Sequence, residues 1–346
     1  MPWWNAPAPE LLLAPMADFT NAPMRVVSGE FGAAFCHTEM VYAGGLASGS
    51  HASWRILGRL PGEGPCAAHL YGSRPDDFAA AAERIAETGG FESIDINCGC
   101  PVPRIRACGA GSALMGDPAL VGRIVAAIVS HCPLPVTVKT RLAPIPGVGT
   151  ALELIRAAAD NGAVAAAVHA RYTSQFNAGD IDVGALAEVV ARSPVPIAAN
   201  GGIRSGADAL RLLRESGART VMVGWAAVGN PWLLRAVSES LRKGEPVPTE
   251  APAPAERRAV LERHLELSRV HHGQVVARWP YSKSKVTEEE ALSLDFRLRL
   301  FRYLNGLPGA SRFRARLSEY RTEADIRAAI AALTEADSGG GETSDR

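Results

Sequence analysis

The sequence predicts an α/β fold, a (β/α)8 TIM barrel followed by a small C-terminal helical domain. Short β-rich apolar runs alternate with Ala- and Leu-rich helical stretches from residue 11 to about 245, which is the pattern of a parallel α/β fold. A Pro-rich segment, KGEPVPTEAPAPA, then separates this region from further helical stretches. The barrel therefore spans 1–245, a linker 246–255, and a helical domain 256–334.

The alternation resolves into eight strand–helix units. The predicted strands are Leu11–Ala17, Phe35–Met40, Cys66–Gly72, Ser93–Gly99, Val136–Leu142, Ala166–Arg171, Ile197–Ile203 and Thr220–Ala226. Helical segments with apolar spacing near 3.6 include Asp76–Thr88, Ala119–Ser130, Thr150–Asn161, Gly206–Ser216 and Trp232–Arg242. Eight such units indicate a closed barrel, in which chemistry takes place at the C-terminal ends of the strands.

The region after the linker is predicted to be helical throughout. Its elements are helices over Glu256–His271 and Glu288–Leu304, a break at Asn305–Gly309, and helices from Ser311 and over Thr322–Leu333. Asp337–Arg346 is rich in Gly, Ser and acidic residues, and we expect disorder over 335–346.

Composition excludes several classes of protein. The 346 residues, 47% of them hydrophobic, can bury a large core, yet no apolar run approaches the ~20 residues that span a bilayer. The start, Met1–Asn5, lacks the pattern of a signal peptide, and six scattered cysteines do not make a disulfide framework. We therefore expect a cytoplasmic protein with no membrane partner.

Charge is balanced overall but not evenly distributed. The formal net charge is zero, which by itself argues against a nucleic-acid partner. However, Arg297–Arg316 contains six Arg and no Asp or Glu. The sequence therefore predicts a basic patch near the C-terminus.

The segment Ile94–Pro101 predicts an active-site loop, because a buried strand ends there in a polar loop that presents Asn97 and Cys100 together. The Gly-rich stretch Arg106–Met115 follows it and can lie close to a flat ligand. Two other interpretations of the thiols remain open. Cys98 and Cys100 could be zinc ligands, although no second Cys or His pair is near, or they could be inert core thiols. Cys98 is the better candidate for the inert role.

The other strand ends are unusually polar. They contribute Ala14–Ala17, Glu39, His69, Lys139 with Arg141, His169 with Arg171, Asn200–Gly202 and Gly224. The last two units end in Gly-containing turns before helices, and such turns form the phosphate site common after strands 7 and 8 of a barrel. A phosphorylated cofactor is therefore predicted.

These residues resemble those of the tRNA-dihydrouridine synthases, FMN-dependent enzymes that reduce uridine in tRNA. The resemblance covers nearly the whole chain. It rests on APMADFTNAPMR, DINCGCPVPRIRACGAGSALM, VTVKTRL, VHARYTSQFNAG, IAANGGIRS, VMVGWAAVGNPW and FRLRLFRYLNGLPGASRFRARL. The last of these distinguishes the family from FMN barrels that lack a helical RNA-recognition domain.

The resemblance implies a role for each matched position. Cys100 is expected to donate a proton to the uracil, which Asn97 and Arg141 also contact. The residues expected to bind FMN are Pro15, Met16, Ala17, His69, Lys139, His169, Asn200, Gly201, Gly202, Gly224 and Trp225. The tRNA is expected to contact Arg312, Arg314 and Arg316. NADPH is the expected reductant, although no dinucleotide fingerprint follows the first strand, and we expect a monomer without a metal.

Three positions depart from the family pattern. His69 stands where Gln is common, Trp225 where Arg is common, and Ala170 where Gly is common. Two other functions stay open beside the synthase: an FMN barrel that reduces a free pyrimidine or another small conjugated substrate, and a non-catalytic tRNA-binding relative.

Overall fold

The computed structural model describes residues 2–147, 151–278, 288–303 and 310–339. The described strands are β1 (Glu10–Leu13), β2 (Phe35–His37), β3 (Val41–Tyr42), β4 (Cys66–Tyr71), β5 (Ser93–Cys98), β6 (Val136–Arg141), β7 (Ala163–His169), β8 (Ile197–Asn200) and β9 (Thr220–Val223). Each predicted strand is present, although several end two or three residues earlier than predicted.

Eight of these strands form a closed parallel barrel. Their order around the ring is β1, β2, β4, β5, β6, β7, β8 and β9, and β9 pairs with β1 to close it. Every pairing is parallel. The predicted TIM barrel is therefore confirmed, because parallel pairing brings all the carboxyl ends of the strands to one rim.

The short strand β3 was not predicted. The sequence indicates one strand over Phe35–Met40, but β2 ends at His37 and β3 then pairs with the far end of β4. The Thr38 hydroxyl accepts the N–H of His69 at 2.9 Å and donates to the Glu39 carbonyl at 2.8 Å. Such side-chain bonds compete with the ladder and end regular pairing.

The helices alternate with the strands up to the linker and continue beyond it. They are α1 (Ala22–Glu30), α2 (Ala43–Ala47), α3 (His51–Ile56), α4 (Pro75–Thr88), α5 (Pro103–Ala107), α6 (Pro118–His131), α7 (Ala151–Asp160), α8 (Val183–Arg192), α9 (Gly206–Ser216), α10 (Pro231–Lys243), α11 (Pro254–Arg278), α12 (Glu288–Tyr303), α13 (Ala310–Ala315) and α14 (Glu323–Gly339). Short 3-10 helices lie at Trp3–Asn5, Gly111–Gly116, Thr173–Gln175 and Trp225–Ala227.

Local capping explains several helix starts. Asn21, Asp117, Asp182 and Ser205 each accept a backbone N–H from the first turn of the helix that they precede, at 2.9 to 3.2 Å. These side chains satisfy N–H groups that have no partner within the helix. The predicted bounds of α9 agree with the structure, those of α4 differ by one residue at its start, and those of α6 and α10 differ by one residue at each end.

The lower end of the barrel, where the strands begin, is plugged by aromatic side chains. Trp3 and Phe35 are buried with Leu12 and Met222 in an interior cluster, and Trp4 lies edge-on to Phe35 with ring centroids 6.1 Å apart. The other buried members of this cluster are small alanines: Ala14, Ala67, Ala165, Ala167 and Ala198. Because the plug fills this end, a ligand can enter the barrel at the opposite rim.

The C-terminal helices pack on the barrel, and their buried apolar residues continue the core that lies between the sheet and its helices. Phe296, Leu300 and Tyr303 of α12 are fully or almost fully buried, and the His264 ring nitrogen lies 3.1 Å from the Tyr303 hydroxyl. Arg299 donates to the backbone carbonyl of Asp18, in the loop after β1, at 3.2 Å. The helical region therefore contacts the rim at which the strands end.

Some predicted elements lie at or beyond the ends of the described ranges. Helix α14 continues to Gly339, into the range for which disorder is predicted, and the rest of that range lies outside the described residues. The predicted break at 305–309 and the predicted helix start at Thr150 also lie outside them. No helix within the described ranges has the length and apolarity to cross a bilayer.

Gly229 tests the contact between barrel and helices, and Gly244 is its matched control. Both have φ near +70°, namely 72° and 75°, but a Cβ on Gly229 would lie 2.4 Å from the Arg302 carbonyl carbon, whereas one on Gly244 would meet nothing within 4 Å. Alanine in this backbone region costs roughly 1–2 kcal/mol, and overpacking adds about 1–3 kcal/mol at Gly229 alone. We therefore expect Gly229→Ala to lower the thermal unfolding temperature clearly more than Gly244→Ala. Equal shifts would contradict a tight contact there.

Candidate active site

A cavity of about 430 Å³ opens at the C-terminal rim of the barrel. Every barrel residue that the sequence assigns to the site lines this cavity. They are Pro15, Met16, Ala17, His69, Asn97, Cys100, Lys139, Arg141, His169, Asn200, Gly201, Gly202, Gly224 and Trp225. Closure of the barrel brings these strand-end residues together at one rim.

Sequence reasoning left several lining residues out of the site. These are Met40, Asn177, Arg204 and Met222, among others. Arg171, which the sequence analysis places among the polar strand ends without a role, also lines the cavity. Asn177 lies in a loop with no strand-end signal, and only the folded loop brings it to the cavity.

The Asn97 side chain shapes the loop that carries Cys100. Its Oδ1 accepts the backbone N–H groups of Gly99 and Cys100 at 3.1 and 3.0 Å. The Cys100 carbonyl in turn accepts the N–H of Ser112 at 3.0 Å, and a Cβ on Gly111 would lie 2.9 Å from that carbonyl oxygen. The Gly-rich segment therefore closes against the loop as predicted. Because the Asn97 carbonyl is used within the protein, only its amide NH2 remains for a ligand.

The two thiols of this segment occupy different environments. Cys98 is fully buried in the layer between sheet and helices, and burial raises the pKa of its thiol. Cys100 is half-buried and lines the cavity. Burial raises the pKa of the Cys100 thiol, while the N–H of Val102 and the charges of Arg141 and Lys139 oppose that rise only in part. At neutral pH Cys100 therefore carries its proton.

The described residues do not support the interpretation of Cys98 and Cys100 as zinc ligands. No group of three or more His, Cys, Asp or Glu side chains within those ranges could hold a metal ion. All six cysteines are free, which agrees with the absence of a predicted disulfide framework.

Lys139 is a cation in the lining of the cavity. Its Nζ donates to Asn200 Oδ1 at 3.2 Å, and Asn200 Nδ2 donates to the Met222 carbonyl at 2.7 Å, so the ammonium is held in one place. Burial lowers the pKa of Lys139 to about 8, and repulsion from Arg141 acts in the same direction, against attraction from Asp95 and Cys100.

Arg141 is occupied mainly by the protein itself. Its Nε donates to the Gly99 carbonyl at 3.0 Å, and its terminal nitrogens donate to the Tyr172 and Phe176 carbonyls and to Asn177 Oδ1. Burial and the charge of Arg171 lower the pKa of Arg141 to about 10. The guanidinium thus ties the Cys100 loop to the loop after β7, whereas the sequence suggests a direct contact with substrate.

His169 is neutral in this environment. Arg171 donates through a terminal nitrogen to His169 Nε2 at 3.1 Å, which makes Nε2 the acceptor and puts the proton on Nδ1. Burial, together with the charges of Lys139, Arg141 and Arg171, lowers the pKa of His169 to about 2. Arg171 is itself held by two bonds to the Gly179 carbonyl.

The Gly201–Gly202 turn after β8 has the features of an anion site. Both residues have positive φ, 118° and 72°. A Cβ on Gly201 would lie 2.8 Å from the His169 ring, so glycine is required there for space as well as for conformation. The N–H groups of Gly201, Gly202 and Ile203 form no hydrogen bond with other described residues. Such consecutive N–H groups, beside Arg171 and Arg204, can bind a phosphate.

A buried hydrogen-bonded chain supports His69. Asp95 Oδ2 lies 2.6 Å from His69 Nδ1, and Asp95 Oδ1 accepts the Thr137 hydroxyl at 2.6 Å. Burial raises the pKa of Asp95. The hydrogen bond and charge of His69 lower it, as do the charge of His37 and the hydrogen bond from Thr137, and together they outweigh burial, so the net shift is downward. The carboxylate therefore holds the proton of His69 on Nδ1, and Nε2 is the nitrogen that remains for a ligand in the cavity.

The arginines expected to contact tRNA are only partly described. Arg316 is exposed and pairs with Glu319 at 2.8 Å, whereas the side chains of Arg312 and Arg314 lie outside the description. Within the predicted basic patch, Arg299 pairs with Asp295 and Arg297 donates to the Leu317 carbonyl. Acidic partners from outside the patch therefore neutralise part of it.

Comparisons with known proteins identify the family of this chain. A family model described as "Dihydrouridine synthase (Dus)" matches residues 12–337. The chain is 36% identical over 267 residues to "tRNA-dihydrouridine synthase B" of Xanthomonas axonopodis pv. citri, which covers 77% of this chain and 80% of that protein. It is 32% identical over 308 residues to the protein of the same name from Pseudomonas aeruginosa, covering 89% and 87%. A "probable tRNA-dihydrouridine synthase" of Rickettsia prowazekii is 30% identical over 322 residues, 93% of each chain. The chain therefore belongs to the dihydrouridine synthase family.

Proposed function

We propose that this protein reduces the 5,6 double bond of uridines in tRNA, with FMN as cofactor, NADPH as reductant and Cys100 as proton donor. The observation that carries the proposal is the position of the Cys100 thiol, which lies on a hydrogen-bonded loop and lines the same cavity as Lys139. Burial raises the pKa of this thiol and so favours its protonated form. A proton donor and a fixed cation in one cavity suit the addition of hydrogen to a conjugated carbonyl compound.

The cavity fits FMN in size and in the placement of its charges. About 430 Å³ lies in the usual range of cofactor pockets. The Gly201–Gly202 turn, with Arg171 and Arg204 beside it, would bind the phosphate at the position common in these barrels. The ring system would then lie along Pro15–Ala17 and reach Lys139.

The chain's own residues divide the remaining chemistry. Reduced FMN, when bound, supplies the hydride that adds to carbon 6 of the uracil. Cys100 gives its proton to carbon 5, so one hydride and one proton together saturate the bond, and solvent then reprotonates the thiolate. The raised pKa of Cys100 serves this role, because the thiol must hold its proton until it is needed.

Lys139 would stabilise negative charge that develops on the cofactor during reduction, because Asn200 holds its ammonium and no other described residue accepts a hydrogen bond from it. Asn97 donates its amide N–H to the uracil. His69 presents Nε2 to the cofactor, in place of the Gln common in the family. Arg141 positions Cys100 through the Gly99 carbonyl.

The proposed function is tested with the purified full-length protein and tRNA from a strain that lacks dihydrouridine. We expect bound FMN, NADPH-dependent flavin reduction, and dihydrouridine in the tRNA by mass spectrometry. Reduction of free uridine in preference to tRNA would instead support a small-molecule reductase. Binding of tRNA without FMN or reduction would support a non-catalytic relative.

Cys100→Ala tests the proton donor, and Cys98→Ala is its matched control. Loss of a general acid typically costs about 100- to 10,000-fold in rate. We expect Cys100→Ala to lose dihydrouridine formation to this extent while it keeps bound FMN, because the thiol acts after cofactor binding. Cys98→Ala, in the layer between sheet and helices, should change the rate little. Equal losses in the two variants would overturn the assignment.

Amine labelling across pH tests the environment of Lys139. In protein freed of flavin, its pKa of about 8 means that Lys139 is neutral above that pH and becomes reactive there. We expect half-maximal labelling near pH 8, measured by peptide mass spectrometry, with the exposed Lys243 as internal comparison and protection by added FMN. Half-maximal labelling near the ordinary value of about 10.4 would contradict the burial of this ammonium.

A further inference from the structure

Trp225 is a large aromatic side chain left half exposed at the mouth of the cavity. It begins the 3-10 helix after β9, lines the cavity, and is 49% exposed. The Phe19 ring packs edge-on against it, with centroids 5.1 Å apart and planes 70° apart. Buried Phe19 thus fixes the indole, while about half of the Trp225 surface faces solvent.

Arg302 of α12 lies beside the same ring. Its guanidinium carbon is 5.4 Å from the ring centroids of both Trp225 and Phe19, and 5.6 Å from that of Phe301. Within the described residues Arg302 forms no ion pair or hydrogen bond through its side chain, in contrast to Arg297 and Arg299 of the same helix. Its N–H donors are therefore available to an anion.

Trp225 and Arg302 stand where the helical region meets the cavity. Gly229 allows the end of α12 to approach the barrel so closely that a Cβ there would lie 2.6 Å from the Tyr303 nitrogen. The pair is therefore held at the junction between the two parts of the chain. A polynucleotide strand that contacts the C-terminal helices and enters the cavity must pass this junction.

We propose that Trp225 and Arg302 form a nucleotide platform for the tRNA residue next to the target uridine. The indole stacks on the base of that nucleotide, and the guanidinium binds its backbone phosphate. The proposal rests on the proposed function, because a uridine that enters the cavity leaves its stack and exposes a face of its neighbour. Aromatic rings that stack single-stranded bases, with arginine on the backbone, are the usual means of holding such nucleotides.

The platform combines residues from two parts of the chain. Here Trp225 is aromatic and the cation beside it is Arg302, which comes from the helical region. Recognition of the neighbouring nucleotide therefore depends on both parts of the chain.

Salt-dependent tRNA binding separates stacking from phosphate contact. The experiment uses FMN-loaded full-length protein and an unmodified tRNA transcript, with Trp225→Ala, Trp225→Phe and Arg302→Gln. The matched controls are Val129→Ala and Arg192→Gln, exposed residues at the C-terminal ends of α6 and α8, away from the cavity rim.

Each variant has its own expected result. Loss of one stacked base corresponds to roughly 5- to 150-fold weaker binding, so we expect Trp225→Ala to fall in this range with an unchanged salt slope. Trp225→Phe should retain most of the affinity, because phenylalanine keeps a stacking face. Arg302→Gln should reduce the slope of log affinity against log salt by about 0.7, the value for one single-strand phosphate. The controls should match the parent.

Parental tRNA affinity in Trp225→Ala would overturn the platform, as would an unchanged slope in Arg302→Gln. Weaker binding in Trp225→Ala that disappears when bound FMN is restored to the parental level would assign the indole to the cofactor instead, and would also overturn it. If Trp225→Ala fails to fold, Arg302→Gln still decides, since it leaves all three rings in place. Failure of the proposed function appears separately, as a parent protein that binds tRNA but forms no dihydrouridine.

Discussion

Closure of the sheet is the constraint on which the rest of this protein depends. Pairing of β2 with β4 and of β9 with β1 makes a ring of parallel strands, so residues far apart in the chain meet at one rim. The aromatic plug around Trp3 fills the opposite end. Without closure, Asn97, Lys139 and Asn200 would be isolated polar side chains at the ends of separate strands, and no cavity would join them.

Several cationic side chains lie close together at the rim, and backbone carbonyl groups stabilise them. Besides burial, neighbouring charges lower the pKa values here. Arg141 lowers the pKa of Lys139, and Arg171 lowers that of Arg141. All three cations lower the pKa of His169. Carbonyl groups of the loops after β5 and β7 accept most of the hydrogen bonds that Arg141 and Arg171 donate, which offsets the loss of water. The same bonds fix the loops. The protein thus uses buried positive charge to order the walls of a site that is prepared for an anion.

The helical region completes the rim. Arg299 binds the Asp18 carbonyl and pairs with Asp295, and Arg302 lies over Phe19 and Trp225. These contacts join the first and last barrel loops to α12. The arginines of α12 therefore have different surroundings, since Arg299 holds the helical region against the barrel and Arg302 lies against the aromatic rings at the mouth of the cavity.

The sequence by itself determined the fold class, the strand ends that carry polar residues, and the family to which the motifs belong. Periodicity and strand-end chemistry are local properties, and barrel closure converts them directly into a shared cavity. Only the tertiary structure decided what each side chain contacts. Arg141 donates to loop carbonyls, and the Asn97 side-chain carbonyl accepts N–H groups of its own loop. Asp95 bonds His69, and Arg302 contacts the Trp225 ring. These pairings join residues far apart in sequence or depend on the path of a loop, so no local pattern encodes them, and the folded geometry chooses among the donors and acceptors that the sequence offers.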